Sequence, residues 1–419
     1  MTARSAPGSV PSRSDATIDV ASIRGELPAL SRVVHDKPLI YLDAAATTPR
    51  PQSVIDAVTH YESNYPANVH RGVHELSGEA TAAYEDARRR IAAFLGADAA
   101  QLVFTRGATE SINLVANAWG ATLEPGDEIL ISALEHHANI VPWQLACERT
   151  GAVLRVVDVD DHATLHCSAV EEALTDRTRL VAITAVSNAL GTVTPIRDIC
   201  ELVRSRGITS LVDAAQAVPH MAVDVPGVGC DFMAFSGHKM YGPTGIGGLI
   251  ASPALLESMP PWQGGGDMIR TVSFESCTWN DVPWKFEAGT PNVGGTIGLG
   301  AAVDWLTDIG MDAIAAREQE LLRDATSRLQ SIDRVRLIGE PAERAGAISF
   351  VIEGMHPADV GAMLDRHGIA VRAGHHCAQP ILKRFGLDAT VRIAPAFYNT
   401  HDELGSFETA LRRIIDVFG

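Results

Sequence analysis

The segment DFMAFSGHKMYG ends an apolar run on Ser236, His238 and Lys239, and TSLVDAAQ ends an earlier run on Asp213 and Gln216. A lysine, a carboxylate and hydroxyl or imidazole donors at the ends of strands are the groups that pyridoxal 5'-phosphate chemistry requires. The lysine forms a Schiff base, the carboxylate keeps the pyridine nitrogen protonated so that the ring accepts electrons more readily, and the donors hold the phosphate. A lone lysine after a strand is ordinarily a solvated surface group. Ser-Gly-His-Lys behind Asp-x-x-Gln is far less common, and it sets Lys239 apart.

Three further segments carry polar groups to the same kind of position. RGATE, Arg106 to Glu110, follows the apolar LVFT and opens a helix, so the backbone N–H groups of Gly107 to Thr109 and the Thr109 hydroxyl can hold a phosphate; Thr109 is equally suited to cap the helix. EILISALEHHAN ends on His136 and His137, either of which can stack on an aromatic ring. RAGHHCAQP sets Cys377 in a polar stretch beside Arg372, His375 and His376, whose positive charge favours the thiolate over the thiol. The other five cysteines read as small buried hydrophobes, with Cys277 taken as structural.

The elements that position these groups alternate from about Gln101: QLVFT, a helix opening at Thr109, EILIS, a helix from Asn139, VLRVVDV, a short helix, RLVAITAVS, a helix from Pro195 to Gly207, TSLVDAA, DFMAFS and IGGLIAS. Strands so continuously apolar are buried on both faces, as in a mostly parallel sheet covered by helices, and such sheets bind ligands beyond their carboxyl ends. Past Gly295 the pattern predicts two longer amphipathic helices, Ile297 to Gly310 and Met311 to Ile332, then strands at GAISFVI and ATVRI. The expected division is a tail over 1–20, a large domain over 45–295, and a small α+β domain from 21–44 and 296–419, with a glycine- and tryptophan-bearing irregular connection between Gln263 and Trp284.

Composition excludes other classes. A formal net charge of -17 repels nucleic acid and anionic lipid. No apolar run is long enough to span a bilayer. Six scattered cysteines without a Cys-x-x-Cys pair fit a reducing cytoplasm.

Taken in order, EHHAN, SNALGT, DAAQ, SGHKMYGPTGIG, FEAGTPN, RAGHHCAQP and YNT resemble the SufS-type (group II) cysteine desulfurases of the class V aminotransferase-like superfamily, over Tyr41 to Asn399. The cysteine in RAGHHCAQP discriminates, since relatives with other chemistries lack it. The resemblance implies fold type I, the aspartate aminotransferase-like α/β fold with a mostly parallel seven-stranded sheet, in a homodimer. It implies conversion of L-cysteine to L-alanine with a persulfide on Cys377, passed to a SufE- or SufU-like sulfur acceptor for uses such as iron-sulfur cluster assembly. Selenocysteine lyase or another carbon-sulfur lyase is the alternative.

By the same resemblance Lys239 is the Schiff-base lysine, His136 stacks on the ring and assists as acid or base, and Asp213 pairs with the ring nitrogen. Gln216 and Asn188 steer the phenolic oxygen and substrate. Ala108 through its backbone, Thr109, Ser236 and His238 hold the phosphate, joined by Thr290 of a neighbouring subunit. Arg392 clamps the substrate carboxylate, and His70, Arg71 and Arg372 line the pocket near the thiol. The chain reads IAPAFYNT after Arg392 where a more serine-like pattern is expected, which predicts a differently shaped carboxylate wall.

Overall fold

The short link between the strands Phe232–Ser236 and Gly247–Ala251 dictates much of what surrounds Lys239. Parallel neighbours need a crossover of a dozen residues or more; with only residues 237–246 between them the two strands pair antiparallel, Gly247 opposite Ser236. Lys239 therefore lies in a single turn of 3-10 helix, Gly237–Lys239, at the carboxyl end of the first strand. The structure is a computed structural model and describes residues 18–418.

Seven strands form the main sheet: β1 (Leu102–Thr105), β2 (Glu128–Ser132), β3 (Val153–Val157), β4 (Thr178–Thr184), β5 (Thr209–Asp213), β6 (Phe232–Ser236) and β7 (Gly247–Ala251). Their order is β1-β7-β6-β5-β4-β2-β3, parallel except for β7, which opposes both neighbours. The parallel members all point their carboxyl ends to one edge, so His136, Asn188, Asp213 and Lys239 emerge on the same side. β1, β6 and β7 are buried at every position, as expected of a sheet covered on both faces.

A second, antiparallel sheet contains β8 (Val335–Ile338), β9 (Ile348–Ile352), β10 (Arg372–Gly374) and β11 (Thr390–Ile393) in the order β8-β9-β11-β10. The helices Met311–Gln330, Pro357–Asp365 and His401–Phe418 cover it through Leu321, Leu364, Phe407 and Leu411, all buried against Phe350, Val391 and Ile393. Leu42 joins that core, and the segment before it pairs Ile40 with Ile369.

Several elements differ from expectation. The first expected helix after Gly295 is Val293–Ile309; it is buried nearly all round instead of amphipathic, because Gly298 and Gly300 let it approach its neighbours until an added Cβ would meet Val58 Cγ2 at 2.7 Å and Ala87 Cβ at 2.9 Å. It packs on the helices Gln52–Asn64 and Glu75–Phe94. The expected irregular connection holds a hairpin, Ile269–Val272 with Cys277–Trp279, on which Phe274 and Cys277 are exposed, so Cys277 is not a buried structural residue. Of the expected tail, residues 1–17 lie outside the described residues, and a helix capped by Asp19 begins at Val20. The segment Ala394–Tyr398 is core, with Phe397 stacked near Tyr241 at 5.3 Å between ring centroids, so its departure from the serine-like pattern serves packing. Among the described residues no helix is long and apolar enough to cross a membrane.

Candidate active site

Lys239 is electrostatically coupled to three groups from distant parts of the chain: Asp213, Arg392 and Cys377. Burial pulls its ammonium below the usual lysine value; Asp213 and Cys377 oppose that and Arg392 adds to it. Asp213 ends β5 with Oδ1 accepting from the Ala215 N–H at 3.0 Å. Its carboxyl is pushed up by burial, against the pull of Lys239. A poorly solvated amine and carboxyl facing one another are suited to trade protons with a bound group.

His136 follows β2. Its Nδ1 accepts from the Ala138 N–H at 3.0 Å, which leaves the ring proton on Nε2. Burial, with the nearby Lys239, lowers its pKa to about 3, so the ring is neutral under physiological conditions. Gln216 donates to the Ala45 carbonyl at 2.7 Å, and Asn188 donates to the His376 carbonyl at 2.6 Å. The amide oxygens of both are buried without a partner.

At the other end of the site the helix Ala108–Ala118 presents its first N–H groups. The Ala108 N–H donates to Ser236 Oγ at 2.9 Å. Gly107, at φ 149°, holds a backbone conformation that strains any side chain, and a Cβ there would stand close to Ser236 Oγ, at 3.1 Å. His238 lies beside Thr47 at 3.3 Å, its pKa lowered to about 4 by burial and by Lys239 and Arg50. Thr109 is exposed on the first turn. Thr290 does not join this group within one chain; it lines a cavity of about 600 Å³ with Arg106, Glu110 and Gln263.

The carboxylate-binding candidates assemble around Asp43, which the sequence reading passed over. Asp43 accepts from Arg372 Nη2 at 2.9 Å and from Arg392 Nη2 at 3.0 Å, while Arg392 Nη1 reaches the Asn188 carbonyl at 2.8 Å. Arg392 Nε remains buried and unpartnered. The only signal for Asp43 was its place in YLDAAATT, a segment without chemical pattern of its own.

Cys377 is exposed, and both it (φ 53°) and His376 (φ 54°) lie in the left-handed region. Two such residues in succession cost about 1 kcal/mol or more each. Neighbours fix them: the His376 carbonyl accepts from Asn188, its Nε2 pairs with Thr390 Oγ1 at 2.8 Å, and the Cys377 carbonyl accepts from the His137 N–H at 2.7 Å. The turn thereby holds the thiol outward while its backbone is tied to β4, β11 and the end of β2. The expectation that His376 supplies positive charge is corrected: its ring turns inward, and burial beside Arg392 and Arg372 lowers its pKa to about 3. His70 and Arg71 also stand apart. Their side chains pair with Glu85 at 2.9 Å and Asp267 at 3.2 Å, not with the network around Cys377.

Three imidazoles, His376 buried and His136 and His238 half-buried, set an acid limit on stability. His136, His238 and His376 sit at about 3, 4 and 3 in the folded protein, whereas an unfolded chain protonates them near pH ~6.5. Their folded values are depressed, so the stability they confer is present above the unfolded value and is lost as pH falls. Each contributes at most about 1.4 kcal/mol per pH unit, less for the partly exposed His238. The melting temperature is expected to drop between pH ~6.5 and ~4, and less steeply in a His376→Asn variant; an unchanged melting temperature across that window would refute the assignment.

A profile of the class-V aminotransferases matches residues 40–407. The chain belongs to the class-V aminotransferase family. It is 52% identical over 400 residues to a probable cysteine desulfurase from Mycolicibacterium paratuberculosis, covering 95% of this chain but only 58% of that protein, so it spans about three fifths of that relative's length. It is 50% identical to a cysteine desulfurase from Salmonella gallinarum, covering 96% of this chain and 100% of that one. Among solved structures, the cysteine desulfurase CsdA from Escherichia coli, in an S-sulfonic acid form, superposes with a TM-score of 0.88 at 38% identity over 96% of this chain and 100% of that one. The fold of this class-V family member is type I, with the mostly parallel seven-stranded sheet the sequence implies.

The residues fit pyridoxal 5'-phosphate. A side-chain-free approach at Gly107 beside a helix amino terminus suits the phosphate, buried Asp213 suits a ring nitrogen, and the orphaned Gln216 Oε1 and Asn188 Oδ1 require polar partners that the chain itself does not provide.

Proposed function

We propose that the chain is a pyridoxal-phosphate-dependent cysteine desulfurase, converting L-cysteine to L-alanine and retaining the sulfur as a persulfide on Cys377. The observation that carries the proposal is that Asn188 ties both the Cys377 turn, through the His376 carbonyl, and Arg392 to the sheet edge where Asp213 and Lys239 emerge. The names borne by the relatives favour cysteine over selenocysteine as substrate.

When bound, the cofactor supplies an electron sink for charge developing at the substrate's Cα. The chain does the rest. Lys239 would hold the cofactor, and its ε-amine, whose pKa burial lowers, would move the Cα proton. Asp213 and His136 would flank the ring, and Ala108 N–H, Thr109, Ser236 and His238 would hold the phosphate, with Gln216 and Asn188 on the phenolic oxygen and substrate. Arg392 fixes the substrate carboxylate, and with it the direction of the Cα proton. The Cys377 thiolate attacks the substrate sulfur. The Cβ–S bond breaks with its electron pair kept by carbon, which takes up a proton and becomes the alanine methyl group, so sulfur is left at the persulfide level on the protein.

Several finer features belong to the same proposal. A second copy of the chain supplies Thr290 to the phosphate in a homodimer; the solvent-facing hairpin with its bare Phe274 supports an interface there. The persulfide passes to a SufE- or SufU-like acceptor, in a pathway such as iron-sulfur assembly. The large unit is 45–295, and the small unit joins 21–44 to 296–419.

Asp43→Asn tests the carboxylate clamp. Without its charge, Arg372 and Arg392 repel across a shared amide and Arg392 loses its anchor. The KM for L-cysteine is expected to rise about tenfold, or about 1.4 kcal/mol, with kcat less affected. An unchanged KM would show that Asp43 does not position Arg392. For the function as a whole, purified protein given L-cysteine and a reductant is expected to release alanine and sulfide in equal amounts; alanine without sulfane sulfur would count against the persulfide route.

A further inference from the structure

The turn that carries Cys377 places two imidazoles next to its sulfur, and the mechanism uses neither. His137, His375 and Cys377 each present a ligand atom such that all three lie within 4.8 Å of one another. The two rings are tilted by 30° with centroids 5.6 Å apart. We propose that His137, His375 and Cys377 form a binding site for a thiophilic divalent cation such as Zn²⁺, which removes the thiol from catalysis reversibly when it binds.

The chemistry of the donor set supports this. One thiolate and two imidazoles, with a fourth position left to water, are a common zinc complement. At Zn–N of ~2.0 Å and Zn–S of ~2.3 Å, the ligand atoms of a tetrahedral ion lie about 3.3–3.5 Å apart, so closure from separations within 4.8 Å needs a contraction of at most roughly 1.5 Å. The segment can supply it. Cys377 and His375 are exposed, and the loop has no helix or strand pairing across residues 375–378.

In the ion-free chain the two rings are engaged with backbone. His375 Nδ1 accepts from the Cys377 N–H at 3.0 Å, and His137 Nε2 accepts from the Gln379 N–H at 3.1 Å. An ion therefore takes a lone pair, or shifts a tautomer, at the expense of these bonds. Both N–H groups belong to exposed residues, where water replaces the lost partner at small net cost. A metal-thiolate bond with two imidazoles outweighs that cost. On binding, the Cys377 thiol gives up its proton to solvent; no electron transfer is involved, and a chelator reverses the reaction.

The binding does not depend on the proposed activity, whereas the inhibition does, and the test separates them. The cofactor-loaded full chain is titrated with Co²⁺ under argon and read by the visible d–d absorption of a four-coordinate cobalt thiolate, which lies to the red of the cofactor bands. One equivalent is expected to bind, with Zn²⁺ displacing it. His375→Ala and His137→Ala are each expected to weaken binding at least tenfold. Cys377→Ala is expected to abolish the thiolate spectrum, and Cys277→Ser, which removes the other exposed thiol, to leave it unchanged. The cofactor absorption of every variant reports that the fold is intact. Absence of the d–d band, or a band indifferent to both histidines or lost only with Cys277, would overturn the site. In parallel, Zn²⁺ is expected to stop alanine release from L-cysteine until EDTA is added; a metal-binding protein with no turnover at any metal concentration would refute the activity and leave the site standing.

Discussion

Lys239→Ala is expected to remove turnover of L-cysteine by about 10⁴-fold or more. A positioned proton-transfer group alone is worth about 10²–10⁴, and this lysine also provides the covalent attachment of the cofactor. The protein should remain folded, because deleting an amine that burial already disfavours removes a desolvation penalty, and burial already pushes the Asp213 carboxyl towards its neutral form. Two readouts separate the roles. The cofactor's absorption should lose the signature of a covalent lysine adduct and show non-covalent binding, and alanine formation should fall to background. Retained alanine formation would mean that the base and the attachment lie elsewhere, and the assignment of the β6–β7 turn would fail with it.

Cys377→Ala carries the second large effect. Alanine release from L-cysteine is expected to fall by about 1,000-fold or more, the scale on which removal of an activated nucleophile acts. Because the side chain is exposed and its backbone is held by Asn188 and His137 independently of the sulfur, neither stability nor cofactor absorption should change. L-Selenocysteine provides an internal contrast. Selenium leaves more readily than sulfur, so retained turnover of selenocysteine by the variant would confine the need for the thiol to the harder bond. Wild-type rates on cysteine would eliminate the persulfide route, since no other exposed thiol lies in the network around Lys239.

The placement of Lys239 and Asp213 was readable because each ends a long apolar run, and an apolar run between polar residues fixes both a buried strand and the edge at which its chain emerges. The other main-sheet strands were legible for the same reason, except β3, an apolar run that lies at the sheet edge with Val153 and Val156 exposed. The helix Val293–Ile309 was assigned the wrong texture: glycine spacing in VGGTIGLG signals close approach only once the neighbouring helices are known. His376 shows the same limit. Its sequence neighbours are an arginine-bearing strand, a histidine and a cysteine, yet a left-handed backbone turns its ring to Thr390 and away from the thiol.

By itself, the sequence determined the α/β alternation, the lysine and carboxylate at the mouth of the sheet, and the family resemblance, because these depend on residue order along the chain. The tertiary structure alone decided that Asp43 bridges Arg372 and Arg392, that His137 holds the Cys377 turn, and that His70 and Arg71 pair elsewhere in the chain. These relations join residues up to hundreds of positions apart. Local periodicity constrains which face a side chain takes, but not which distant carboxylate or carbonyl will meet it when two sheets pack.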